Sequence, residues 1–118
     1  MSDNFSTWRT PIQRDADQLL LFIEQTVRTF PRYHKYTLGH ELRTQAMKIV
    51  RLIQRAMHDK KNQQDMIYRL VFAVDDIKLQ IRLAKELQAF AHFGQFETAA
   101  ELAVSVGKQA GGWLKRNK

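Results

Sequence analysis

Two kinds of residue in this sequence could do chemistry: carboxylates and histidines that could catalyse or hold a metal, and cations that could hold phosphate. Asp75 and Asp76 are the only adjacent carboxylates. Consecutive helical residues point about 100° apart, so the pair reads more simply as ion-pair partners for Lys78 and Arg82 than as an acid and base sharing one bond. His34, His40, His58 and His92 lack the i, i+4 spacing of a helical zinc site, and the chain has no cysteine to supply a thiolate. The glycines spell neither a Walker loop nor a dinucleotide fingerprint. No catalytic residue, metal, cofactor or small-molecule substrate is expected.

The cations are the feature left. There are 19 Lys and Arg against 12 Asp and Glu, a formal charge of +7, with a pI near 10.0. Residues 31 to 61 hold 8 of the basic and 2 of the acidic side chains, so most of the excess lies in the second quarter. Lys48, Arg51 and Arg55 fall on one face of a predicted helix, and Lys78, Arg82 and Lys85 form a ridge on the next. With Arg32 and Lys35 they would make a field able to hold phosphates or an acidic partner. A single solvated basic face is usually a solubility device; two such ridges point to a polyanion. Tyr33, His34 and Tyr36 beside Arg32 and Lys35 are the candidates for stacking on unpaired bases, although the simpler expectation is that they plug the end of the bundle.

Helices must position these residues. The chain has 118 residues, 44% apolar and 26% charged, with only five glycines and two prolines, too few turn signals for a sandwich or barrel. One folded domain over 15–118 is predicted, preceded by a flexible segment over 1–14 whose Phe5, Trp8 and Ile12 either pack on a neighbour or stay disordered. The first helix is expected to begin near Asp15 or Asp17 and to end at Phe30-Pro31, with Pro31 to Tyr36 as an ordered connector. Thr37 is the expected N-cap of the second helix, whose core stripe is Leu42, Ala46, Ile49, Ile53 and Met57. After the polar stretch His58 to Asn62, a third helix over residues 64–91 carries two apolar stripes. Ile67, Leu70, Val74, Ile77, Ile81 and Ala84 face one way; Phe72, Leu79, Leu83, Leu87 and Phe90 face nearly the other.

A helix apolar on two sides needs two partners, so the second stripe predicts self-association. The fourth helix, from Phe96 to Leu114, has a seam of Phe96, Ala99, Ala103, Val106, Ala110 and Trp113, and its interior glycines predict close backbone approach. Trp113 is expected in that seam or in a subunit contact, ahead of ligand stacking. The whole is an all-α, antiparallel, up-down-up-down four-helix bundle. The longest apolar run, Leu19 to Ile23, is far short of a membrane span, and the N-terminus lacks a basic leader. A soluble, cytoplasmic protein is expected.

Phe30-Pro31-Arg32-Tyr33-His34-Lys35-Tyr36-Thr37-Leu38-Gly39, Arg82-Leu83-Ala84-Lys85-Glu86-Leu87 and Gly107-Lys108-Gln109-Ala110-Gly111-Gly112-Trp113-Leu114-Lys115 resemble the accessory variability determinant proteins of diversity-generating retroelements. The resemblance spans roughly residues 15 to 116. Related four-helix proteins encoded in intervening sequences of large ribosomal RNA share the bundle, but the Phe-Pro-Arg-Tyr and Gly-Gly-Trp phrases place this chain nearer the first group. The resemblance implies a homopentameric barrel with a basic outer surface that partners the retroelement reverse transcriptase and its template RNA or cDNA. Such a protein is required for mutagenic cDNA synthesis and retrohoming without itself being the polymerase. The competing reading is a helical adaptor that meets an acidic protein surface, or a ribosome-associated bundle, with no direct nucleic-acid role.

Overall fold

The computed structural model describes residues 9–117. Four long helices, α1 (Pro11–Val27), α3 (Leu38–His58), α4 (Gln63–Glu86) and α5 (Phe93–Arg116), are joined by short connectors, with a one-turn helix α2 (Arg32–Lys35) between the first two. The described residues contain no strand. The long helices pack in a closed ring in which α1 meets α3, α3 meets α4, α4 meets α5 and α5 returns to α1.

Polar side chains crossing each seam show that neighbours run antiparallel. Gln13 Nε2 donates to Gln54 Oε1 at 3.2 Å while Arg43 Nε donates to Glu24 Oε2 at 2.9 Å, so positions rise along α1 as they fall along α3. Gln63 Nε2 to Ala56 O at 2.7 Å and Gln45 Nε2 to Ala73 O at 2.9 Å do the same for α3 and α4. Asn117 Nδ2 to Gln64 Oε1 at 2.9 Å pins the α4–α5 seam at one end. This is the up-down-up-down bundle that short connectors require.

The first helix starts four residues before Asp15. Thr10 is its N-cap, in a capping box with Gln13, and Pro11 occupies the first turn, where its missing N–H costs nothing. Ile12 is therefore core of its own chain, 9% exposed; Phe5 and Trp8 lie outside the described residues. In α3, Leu42, Ala46, Ile49 and Ile53 are buried as expected, joined by Leu52 and Ala56, and Met57 is half-buried beside them. Thr37 stands at the N-cap position but makes no cap bond; its hydroxyl donates to Tyr33 O at 3.3 Å.

Helix α4 ends at Glu86, short of the predicted residue 91. Gln88 adopts a left-handed φ of 59°, and Ala89 N and Gln88 N donate back to Ala84 O and Lys85 O. These are the two bonds of a Schellman cap, here without the usual glycine. Phe90 consequently leaves the line of Phe72, Leu79 and Leu83. It turns into the end of the bundle, edge-on to Phe30 at 5.4 Å and to Phe96 at 6.1 Å.

The expected close backbone approach is not what the α5 glycines show: the nearest neighbours of Gly107 are the Lys78 and Val74 side chains, and the tightest glycine is Gly39 in α3. A Cβ on buried Gly39 would stand 2.6 Å from Val27 Cγ1, and a β-branched, buried valine has little room to yield. Nothing lies within 4 Å of a Cβ at Gly111. Gly39→Ala should lower stability by about 1–2 kcal/mol through overpacking, and Gly111→Ala should raise it by about 0.5–1 kcal/mol through helix propensity. Thermal unfolding of the two variants should shift in opposite directions.

Candidate nucleic-acid interface

Helix α4 is the centre of the cationic surface because it has a neighbour on each flank. Its inward side (Ile67, Leu70, Val74, Ile77, Ile81, Ala84) is fully buried. On the α3 flank, Lys48, Arg51 and Arg55 of α3 meet Arg69, Phe72 and Asp76 of α4 around an open groove of about 510 Å³. Lys48, Arg51 and Arg55 are exposed and belong to none of the three ion pairs among the described residues, which are Arg9–Asp17, Arg43–Glu24 and Arg69–Asp65. Lys48 and Arg55 are seven residues apart, so at 1.5 Å per residue the row is about 10 Å long, enough to follow successive phosphates.

Lys78 and Lys85 sit on the other flank, against α5. The Lys78 ammonium lies 3.0 Å from where a Cβ on Gly107 would stand, and Lys85 Nζ lies 4.9 Å from the centroid of the Phe96 ring. Their stems cover apolar surface while the charge stays at the rim. Arg82 is exposed on the same side. The two predicted ridges are thus separate patches, divided by the outward side of α4. The Asp75 and Asp76 carboxylates make no ion pair with Lys78 or Arg82, contrary to the expectation from spacing; Asp76 faces the α3 groove instead.

The outward side between the patches is apolar and uncovered within one chain. Phe72 is 65% exposed, and Leu79, Leu83 and Leu87 are 45%, 41% and 54% exposed, with Tyr68 at 43% continuing the row. Tyr68 and the groove position of Phe72 were not singled out in the sequence, although Tyr68 lies four residues before Phe72 on the same side. Of the other residues expected in a subunit contact, Phe90 packs at the bundle end and Trp113 is half-buried against the core at the opposite end.

Arg32, Tyr33, His34 and Lys35 form α2, above the N-terminus of α3. Tyr33 and Tyr36 are 84% and 73% exposed, with the His34 ring edge-on to Tyr33 at 5.1 Å. They do not plug the bundle because Phe30, 4% exposed, already fills that end with Phe90. The two solvated tyrosines, flanked by Arg32 and Lys35, present open aromatic faces beside positive charge.

Among the described residues, no group of three or more His, Asp or Glu could hold a metal ion. No helix of the described residues is long and apolar enough to cross a membrane. Residues 11–117 match the family described as bAvd-like. No curated protein matches the chain.

Proposed function

Since the chain belongs to the bAvd-like family, accessory proteins of diversity-generating retroelements that are generally non-catalytic, we propose that it binds nucleic acid and the retroelement reverse transcriptase as a homo-oligomeric scaffold. The observation that carries this reading is the α3–α4 groove, where Lys48, Arg51 and Arg55 stand exposed, outside the ion pairs found among the described residues, around an exposed Phe72. Cations in a row hold phosphates, and an aromatic rim accepts a base face. Tyr33 of α2 and Tyr36 just after it extend the same surface chemistry to the other end of α3.

The apolar outward row of α4 beyond Phe72, formed by Leu79, Leu83 and Leu87, supports assembly and leaves Phe72 to the groove, and the family resemblance supports five copies. Cyclic assembly would repeat the groove around the ring and multiply the charge, so a strand or an acidic polymerase surface could be held without base-specific contacts. Helix α4 would then serve twice, its outward row between copies and its flanks toward the partner.

Fluorescence anisotropy with a short single-stranded RNA or DNA, titrated across salt, tests the proposal. Affinity should fall as salt rises, with log K against log salt sloping by about −0.7 per phosphate contacted. Asp76→Asn, which removes the one carboxylate lining the groove, should tighten binding by about threefold, the worth of a single partly screened charge. A salt-independent affinity, or none in dilute buffer, would leave the family membership standing and remove the nucleic-acid role.

A further inference from the structure

The end of the bundle opposite Phe30 and Phe90 holds a second cationic site, unconnected with the α4 flanks. There the start of α1, the turn after α3, the start of α4 and the last turns of α5 enclose a cavity of about 620 Å³, within the range of about 300–1,000 Å³ usual for small-ligand sites. Two helix starts and two helix ends converge there, so their dipoles largely offset one another and the side chains decide the sign. Those side chains are cationic: Lys60, Lys108 and Arg116 line the cavity, and among the described residues no carboxylate does. None of the three joins an ion pair among the described residues.

Beside the cations the cavity offers a half-buried Trp113, with Ile12 and Met57 as apolar floor. Two amides complete it. Gln63 Nε2 donates inward to Ala56 O at 2.7 Å, and Gln109 Nε2 donates to Asp15 Oδ2 at 2.7 Å. Both amide orientations are thereby fixed, which leaves Gln63 Oε1 and Gln109 Oε1 as acceptors. Asp15 accepts from Gln109 and from Ser105 Oγ at 2.8 Å behind the cavity wall; it does not line the cavity and pairs with none of the three cations, so it offsets only part of their charge. Gly112 contributes the space: a Cβ there would stand 3.2 Å from Arg116 Nη1 and displace the guanidinium.

An aromatic face, fixed acceptors and three unpaired cations around one cavity are complementary to a base carrying an amino group and a phosphate. We infer that this bundle-end pocket binds a single nucleotide unit, base against Trp113 and phosphate among Lys60, Lys108 and Arg116. The inference rests on the nucleic-acid reading only for the source of that unit, an end of a bound strand; a free mononucleotide shares its chemistry.

Trp113 reports on the site directly. In a Trp8→Phe background Trp113 is the only tryptophan, and its emission should be quenched saturably by 5′-AMP, with adenosine at least about tenfold weaker because a phosphate held by charged donors is lost. Lys60→Glu with Lys108→Glu, both exposed, should weaken 5′-AMP by tenfold or more, whereas Arg51→Glu with Arg55→Glu should leave it unchanged. A 5′-phosphorylated oligoadenylate that displaces 5′-AMP at lower concentration identifies a strand end as the source; displacement no better than by 5′-AMP itself identifies the free nucleotide. Unaltered emission up to about 5 mM 5′-AMP, several times a millimolar dissociation constant, overturns the inference, as does quenching that survives Lys60→Glu/Lys108→Glu or vanishes in Arg51→Glu/Arg55→Glu. Quenching by 5′-AMP in a protein that ignores longer strands would sink the nucleic-acid reading alone.

Discussion

Replacing Arg51 and Arg55 together by glutamate is expected to lower affinity for a short RNA or single-stranded DNA by about thirtyfold or more at about 0.1 M salt. Two phosphate contacts are lost, each worth about 1 kcal/mol of counterion release at that salt, and every 1.4 kcal/mol is about tenfold. The new carboxylates add repulsion. The salt slope should also become shallower by about 1.4, two contacts at about 0.7 each. Stability should hardly move, because both side chains are exposed and join no ion pair among the described residues. Unchanged affinity in a folded double variant would place the nucleic acid elsewhere on the surface.

Leu79→Asp with Leu83→Asp is expected to break the assembly and spare the bundle. Each leucine, already more than half covered within its own chain, contributes about 1 kcal/mol when the remainder is buried between copies, and an unpaired carboxylate in its place adds a larger desolvation cost. Association should weaken by at least about a hundredfold, read as dissociation in sedimentation. Within one chain these leucines are 45% and 41% exposed, so circular dichroism and the melting midpoint of the separated chain should stay close to those of the parent. A double variant that remains assembled would show that the outward row of α4 is not the subunit contact. Loss of assembly should weaken strand binding as well, since the grooves would no longer lie on one ring.

Much of this arrangement is legible in the amino-acid sequence, and what is not has identifiable reasons. The stripes Leu42, Ala46, Ile49, Ile53 and Ala99, Ala103, Val106, Ala110 are read from a 100° period, and all are buried. The two-sided character of the third long helix follows from the same arithmetic, and Phe72, Leu79, Leu83 and Leu87 stand exposed as it requires. The start of α1 was signalled by Thr10-Pro11-Ile12-Gln13, a cap, a first-turn proline and a reciprocating glutamine. The acidic residues Asp15 and Asp17, also suited to a first turn, are a weaker marker than that box.

Other features depend on tertiary neighbours. No periodicity tells that Lys78 and Lys85 turn toward α5 while Lys48, Arg51 and Arg55 share a groove with Arg69, so one predicted field divides into two patches. Phe90 is in register with Phe72 only if the helix continues; the left-handed Gln88 stops it. Trp113 lies in the apolar seam as spaced, but its surroundings come from three other chain segments. The turn after α3 is local and nearly readable: Asn62 donates side-chain and backbone N–H to Asp59 at 2.9 and 3.1 Å, and these bonds, the side-chain one first, hold the Asp59 carboxyl below its usual range.

The central claim, that copies of this chain assemble so that their basic grooves hold a polynucleotide, is tested most directly by the mass of the particle in dilute salt, with and without a single strand. The account predicts a closed oligomer, five chains of 13.9 kDa, that gains the mass of the added strand and sheds it at high salt. A lone 13.9 kDa particle that leaves the strand free would contradict it.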